Sequence, residues 1–393
     1  MKLSLRFSAA IVPALLLVAC GGDDTDEKAG ADRGAATRTY ANIVHASYAD
    51  SLAEVEELDR LCKAFVAAPS QASLDQARNA WLAAREPYLQ TEVYRFYDGP
   101  IDNQVDGPEG LINAWPLDEA YIDYVTGAAS DDSIIHDPTK TISAESLMDL
   151  NEAGGEENIA TGFHAVEFLL WGQDQSDTGP GNRPYTDYVA GGARANADRR
   201  GAYLTTVSSL LVTHLTGLVE AWAPGTSGNY RSELEAAAAD EALRRILTGM
   251  IVLSGFETGG ERLQTALDSG DQEDEHSCFS DNTHRDMVQD IQGVKNVWTG
   301  NYTRLDGTRV SGTSVRAVVR EKDAALATEL DTQIDQSLSL ANALQPPFDN
   351  EIQSDNTAGR ERIRALVTAL GRQEELLQQV FQRFGLNVPP PPL

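Results

Sequence analysis

The chain has 393 residues, 41% of them hydrophobic and 7% aromatic, which is enough for one large or two ordinary domains with packed cores and excludes disorder throughout. Lys and Arg total 31 against 60 Asp and Glu, a formal net charge of -29, so a phosphate backbone would be repelled and nucleic acid is set aside as a partner.

Residues 1–19 read as an export signal. Lys2 and Arg6 supply a positive start, and the apolar run from Ala9 to Ala19 is too short to span a bilayer. Leu17-Val18-Ala19-Cys20 resembles the lipobox of bacterial lipoproteins, which implies lipidation of Cys20 and attachment through acyl chains. No Asp follows Cys20 directly, so the similarity points to the cell envelope, at the outer membrane facing the periplasm. Residues 20–37 are small and charged, as a flexible tether would be. Cys62 and Cys278 then remain, either as a disulfide or as two buried free thiols.

Structure is expected from about Tyr40. Ile43, Val44, Val55, Leu58, Cys62 and Phe65 recur at helical spacing, and Pro69-Ser70 ends that helix. A second amphipathic pattern runs from Leu74 through Trp81 and Tyr88 to Gly99-Pro100, with a kink expected at Pro87. Residues 99–160 are turn-rich, with a short helix at Glu145 to Leu150. A helix from about Ile159 to Trp171 carries His164 and Glu167 one turn apart among Phe163, Val166, Phe168 and Leu169. Buried among such neighbours each polar group needs a partner: a shared metal ion, or simply one another.

Beyond the turns of 172–192, helical patterns cover about 193–222, 230–267, 312–345 and 355–384. The stretch 270–286 is rich in acids and reads as a solvated loop or a docking surface for an envelope protein. Strand signals are nearly absent. The chain is therefore read as all-α, two helical-bundle domains packed together, at 38–175 and 190–385, with a site between them.

Neither HExxH nor HxxEH occurs, and no Gly-x-Ser-x-Gly, so zinc-peptidase and serine-hydrolase constellations are missing. A mixed nitrogen and oxygen site on His164 and Glu167 suits iron, with zinc as the lesser choice. Glu92 is the first choice for a third ligand; a salt bridge to Arg85 or Arg95 is its alternative role.

Gly162-x-His164-x-x-Glu167 with the apolar run to Trp171-Gly172-Gln173-Asp174 resembles the signature of the imelysin-like family. Matching blocks include Ala80-Trp81 through Arg85, Glu92, Asn113-Ala114-Trp115-Pro116, Gly260-Glu261-Arg262, and Glu275 through Asp286. The resemblance implies an exported protein of two helical bundles with a link to iron acquisition, its cleft lined by Arg85, Trp115, Arg262, Ser280, Asp281 and Asp286. It also implies two activities: uptake of iron or an iron-containing compound, or metallopeptidase action. Binding is preferred, because a catalytic zinc site shows three ligands and a base.

Overall fold

The computed structural model describes residues 32–127, 132–192 and 194–386; the export signal, Cys20, the tether as far as residue 31 and the proline tail lie outside the described residues. Helix α1, Arg33–Ala67, starts where the Asp32 carboxylate accepts a hydrogen bond from the Gly34 amide, satisfying one unpaired N–H of the first turn. The last residues of the expected tether are thus helical, with Ala36 and Thr37 buried. The predicted apolar stripe from Ile43 to Phe65 is buried as its spacing requires.

Helix α2, Gln71–Leu89, is capped reciprocally by Ser70 and Ser73. It ends ten residues short of the expected stop at Gly99. Pro87 has no amide to bond the turn behind it, and the chain leaves the helix two residues later, with the Thr91 amide and hydroxyl both donating to the Tyr88 carbonyl. Glu92 therefore sits in a single tight turn, Glu92–Tyr94, and not on a helix.

Helix α3, Gly162–Trp171, carries the motif, and all ten of its residues are buried. Helix α4, Ala197–Ala221, is long and apolar enough to cross a membrane by length and composition alone. Its stripe of Leu204, Val207, Leu211, Leu215 and Leu218 is buried instead, and it packs along α1 and α3. The boundary drawn from sequence puts this helix in the second domain; the packing places it with α1, α2 and α3.

The second group begins with α5, Ala239–Val252, which runs directly into a π-helical segment, Leu253–Gln264. The single helix expected over 230–267 is thus several pieces, with a separate turn of helix at Tyr230–Ala236. Helices α6 (Thr283–Thr299), α7 (Ala324–Ala341) and α8 (Thr357–Phe384) complete it, α8 packing on the π segment, α5 and α7. The groups meet where α2 packs on α6 and α1 on α5. Among the described residues the only strands are Asn301–Thr303 and Arg309–Ser311, a two-stranded antiparallel pair, so the all-α reading holds. Cys62 and Cys278 are both free and buried.

Gly162 is the one residue of the motif whose reason is purely steric. Its φ is +87°, and a Cβ there would lie 2.6 Å from the Ile112 carbonyl oxygen. Gly162→Ala is therefore expected to lower the unfolding free energy by about 2 kcal/mol or more, read from the urea midpoint at unchanged slope.

Candidate functional site

His164 and Glu167 are fully buried and face each other, Nδ1 to Oε2, at 2.9 Å. The other carboxylate oxygen of Glu167 accepts from the Ser280 amide (3.0 Å) and hydroxyl (2.6 Å). Both oxygens are thereby engaged, so Glu167 orients the imidazole from behind, and His164 Nε2 is left buried with no hydrogen-bond partner among the described residues. Burial pushes Glu167 up to about 8, against the opposing pull of Ser280 and Arg85. Burial and the nearby Arg85 charge hold His164 well below the usual imidazole range. Loss of one proton from the pair leaves Nδ1–H donating to Glu167 and the Nε2 lone pair free, the form that ligates a metal.

A second imidazole stands beside the first. His276, in the loop before α6, has its ring centroid 4.9 Å from that of His164. Its Nδ1 lies 2.7 Å from Asp286 Oδ2, which also accepts from Arg85 Nη2 (3.0 Å) and Ser277 Oγ (2.5 Å). Burial alone would raise the Asp286 carboxyl; Arg85 and His276 together hold it far below the carboxylate range. Burial, helped by the Arg262 charge, lowers His276 to about 4 against the pull of Asp286. Arg85 Nη1 donates to Asn113 Oδ1 at 2.5 Å, while the Asn113 amide nitrogen is 3.5 Å from His276 Nε2, at the limit of a hydrogen bond. Two imidazoles, each backed at Nδ1 by a carboxylate, with Nε2 unpartnered in His164 and met only by the long Asn113 contact in His276, form a donor set that fits a metal.

Glu92 is fully buried between Arg95 Nη1 (2.7 Å) and Arg262 Nη2 (2.5 Å). Burial would raise its carboxyl, but the two guanidinium groups bring it down to about 2. Arg262 also reaches Asp290 at 2.9 Å. Glu92 thus makes the ion pair with Arg95 that was its alternative role, with Arg262 in place of Arg85, both on Oε2, while its Oε1 has no hydrogen-bond partner among the described residues. Among the described residues, His164, Glu167 and Glu92 belong to no group of three whose ligand atoms lie within 4.8 Å of one another.

A cleft of about 510 Å³ opens onto this network. Trp115, Asn113, His276, Arg95 and Arg262 line it, with Glu109, Glu152, Glu156, Glu257, Glu261 and Asp274 as acidic neighbours. His164 is not part of that lining; the half-buried Trp115 ring lies 5.0 Å from its own. Of the residues expected to line the cleft, Trp115 and Arg262 do, while Arg85, Ser280 and Asp286 support the imidazoles from outside it. Asp281 is grouped elsewhere, with Asp174 and Asp349. The loop read as solvated is buried from Glu275 to Thr283, leaving Asp271 to Asp274 nearer solvent. His276 is the site residue that the sequence reading passes over; its signal is the histidine at the head of a block that closes on Asp286.

The imelysin profile matches residues 44–377 of the chain. The chain belongs to the imelysin family. Iron-regulated protein A of Synechococcus elongatus is 24% identical over 345 residues, covering 86% of this chain and 82% of that protein. A crystal structure from Parabacteroides distasonis, provisionally named an iron-regulated protein A precursor, superposes with a TM-score of 0.67 at 21% identity, covering 93% of this chain and 98% of the other. An imelysin-like protein from Psychrobacter arcticum gives 0.64 at 14% identity, covering 91% and 96%. At these identities the two structures establish the shared imelysin fold.

Two measurements probe the network in this imelysin chain. Asp286→Asn strands the buried Arg85 charge and is expected to cost about 3–5 kcal/mol in chemical denaturation. Glu167 has its folded pKa raised from 4.5 to about 8, so its proton favours the folded state at low pH and that stability is lost as pH rises through this window. Wild type should therefore lose stability relative to Glu167→Gln between about pH 4.5 and 8, and a pH-independent difference would contradict the assignment.

Proposed function

We propose that the chain binds iron, or an iron-containing compound, through His164 and His276, and takes part in iron uptake. The observation that carries this reading is the pair of buried imidazoles 4.9 Å apart, each with Nδ1 held by a carboxylate. Iron is cargo on this reading: the imidazoles supply two nitrogen donors, and the remaining positions fall to oxygen donors of the compound or to water. The name of the cyanobacterial relative supports an iron-related role.

Hydrolysis is the less supported reading. A metallopeptidase needs a carboxylate free to take a proton from water, and the two carboxylates nearest the imidazoles are committed, Glu167 to His164 and Ser280, Asp286 to Arg85 and His276. The lipobox-like Cys20 supports an envelope lipoprotein, anchored at the outer membrane and facing the periplasm.

Equilibrium dialysis with ferrous and ferric iron tests this. His164→Ala and His276→Ala should each bind iron at least about tenfold more weakly than wild type, and Glu167→Gln about 10–100-fold more weakly, with melting curves confirming folded proteins. Equal retention by all four proteins would reject the reading. Chelator-sensitive cleavage of an unstructured peptide that vanishes in His164→Ala would put hydrolysis in its place.

A further inference from the structure

A second polar cluster lies apart from the imidazole pair and is built entirely of carboxylates. Asp174 follows the motif helix α3 by three residues, Glu275 and Asp281 belong to the loop before α6, and Asp349 lies in a short helix, Phe348–Ile352. One oxygen from each of Asp174, Asp281 and Asp349 lies within 4.8 Å of the other two. Asp174 is 3% exposed and Asp281 8%, while Asp349 and Glu275 are buried completely or nearly so.

The decisive feature is what these groups lack. One oxygen of Asp174 accepts from the Ser176 amide at 3.0 Å. Among the described residues its other oxygen, one oxygen of Asp281, and both oxygens of Asp349 and Glu275 are buried with no N–H donor; Asp174 faces Asp281 and Glu275 faces Asp349, with the Thr283 hydroxyl beside Glu275. No Arg, Lys or His forms an ion pair with any of the four among the described residues, whereas Glu92, Asp286 and Asp290 each meet an arginine. Buried carboxylates facing one another without a counter-charge must gain protons or a cation. Burial pushes Asp174 up to about 6, against the pull of the Ser176 amide, and Asp281 to about 8, with the Asp349 charge adding to both, in keeping with an uncompensated cluster.

We propose that Asp174, Asp281 and Asp349 together bind one hard divalent cation, calcium ahead of magnesium, with Glu275 facing Asp349 beside them. The donors are all oxygen, with no nitrogen or sulfur among them, which selects a hard ion. Calcium takes six to eight oxygens at about 2.3–2.6 Å, so donors on opposite sides stand roughly 5 Å apart; magnesium demands an octahedron of about 2.0–2.1 Å, with opposite oxygens near 4 Å. All three carboxylates lie inside calcium's span, and a site of three protein carboxylates suits calcium, since magnesium keeps several waters and takes one or two carboxylates.

The cation ties three distant segments together. Asp281 adjoins Ser280, which holds Glu167, and Glu275 adjoins His276. The bound ion thus holds the loop that presents the second imidazole and steadies the first, directly at Asp281 and, at the other end, through Asp349, which Glu275 faces. It acts as a clamp outside the iron cleft, and its existence does not depend on the iron reading.

The test is calcium titration calorimetry and thermal melting on the purified full chain after chelator treatment. Wild type is expected to take up about one calcium per chain and to melt several degrees higher with calcium at about 100 times its dissociation constant. Asp349→Asn should bind about tenfold more weakly or not at all, with Asp174→Asn as the second variant if the first fails to fold. His164→Ala should keep calcium binding intact, separating this site from the iron cleft. Absence of calcium uptake by wild type would overturn the proposal, as would unchanged uptake in both carboxylate variants. An Asp349→Asn protein more stable than calcium-free wild type, with no calcium uptake by either, would show carboxyl groups sharing protons instead.

Discussion

The fold is joined across its middle by a buried ion pair. Arg85 comes from α2 and Asp286 from α6, their side chains are 1% and 0% exposed, and they meet at 3.0 Å. Neither charge tolerates burial alone, so each requires the other bundle to dock in one register. Asp286 holds His276 on the same oxygen, and Arg85 holds Asn113 with its other arm. Arg262 repeats the device with Glu92 and Asp290. Apolar contact brings such helices together with little preference for register; these directional bonds make the contact specific, and the imidazoles inherit their geometry from it.

The local order of the fold is legible in the sequence because helix formation here follows apolar spacing. The stripe of Ile363, Leu366, Leu370, Leu376, Leu377, Val380 and Phe381 is buried along one face of α8 as written. Partnership between helices is not legible in the same way: the stripe on α4 says that it must be covered, not that α1 and α3 cover it. The π-helical segment is hidden too, since Gly255, Gly259 and Gly260 read as weak helix residues. Gly255 is close-packed against Glu374 of α8, a contact that only the assembled bundle supplies.

The site was half visible for a related reason. His164 and Glu167 stand out because they interrupt an apolar run, and contrast with neighbours is something a sequence records. His276 lies among acids and hydroxyls, where composition suggests solvent, yet Phe279 and Cys278 draw the loop inside. Asp174, Asp281 and Asp349 have no shared local pattern at all; their proximity is created by three chain segments converging.

The Trp115 indole bears on time as well as on structure. On the iron-binding reading, a ligand approaching from the cleft finds His276 in the lining and His164 behind the indole, whose ring is 5.0 Å away. Ring motion then limits entry and exit alike, leaving the equilibrium constant in place while lengthening both half-lives. A protein built this way exchanges its cargo slowly with solvent, and handing it on calls for whatever moves Trp115.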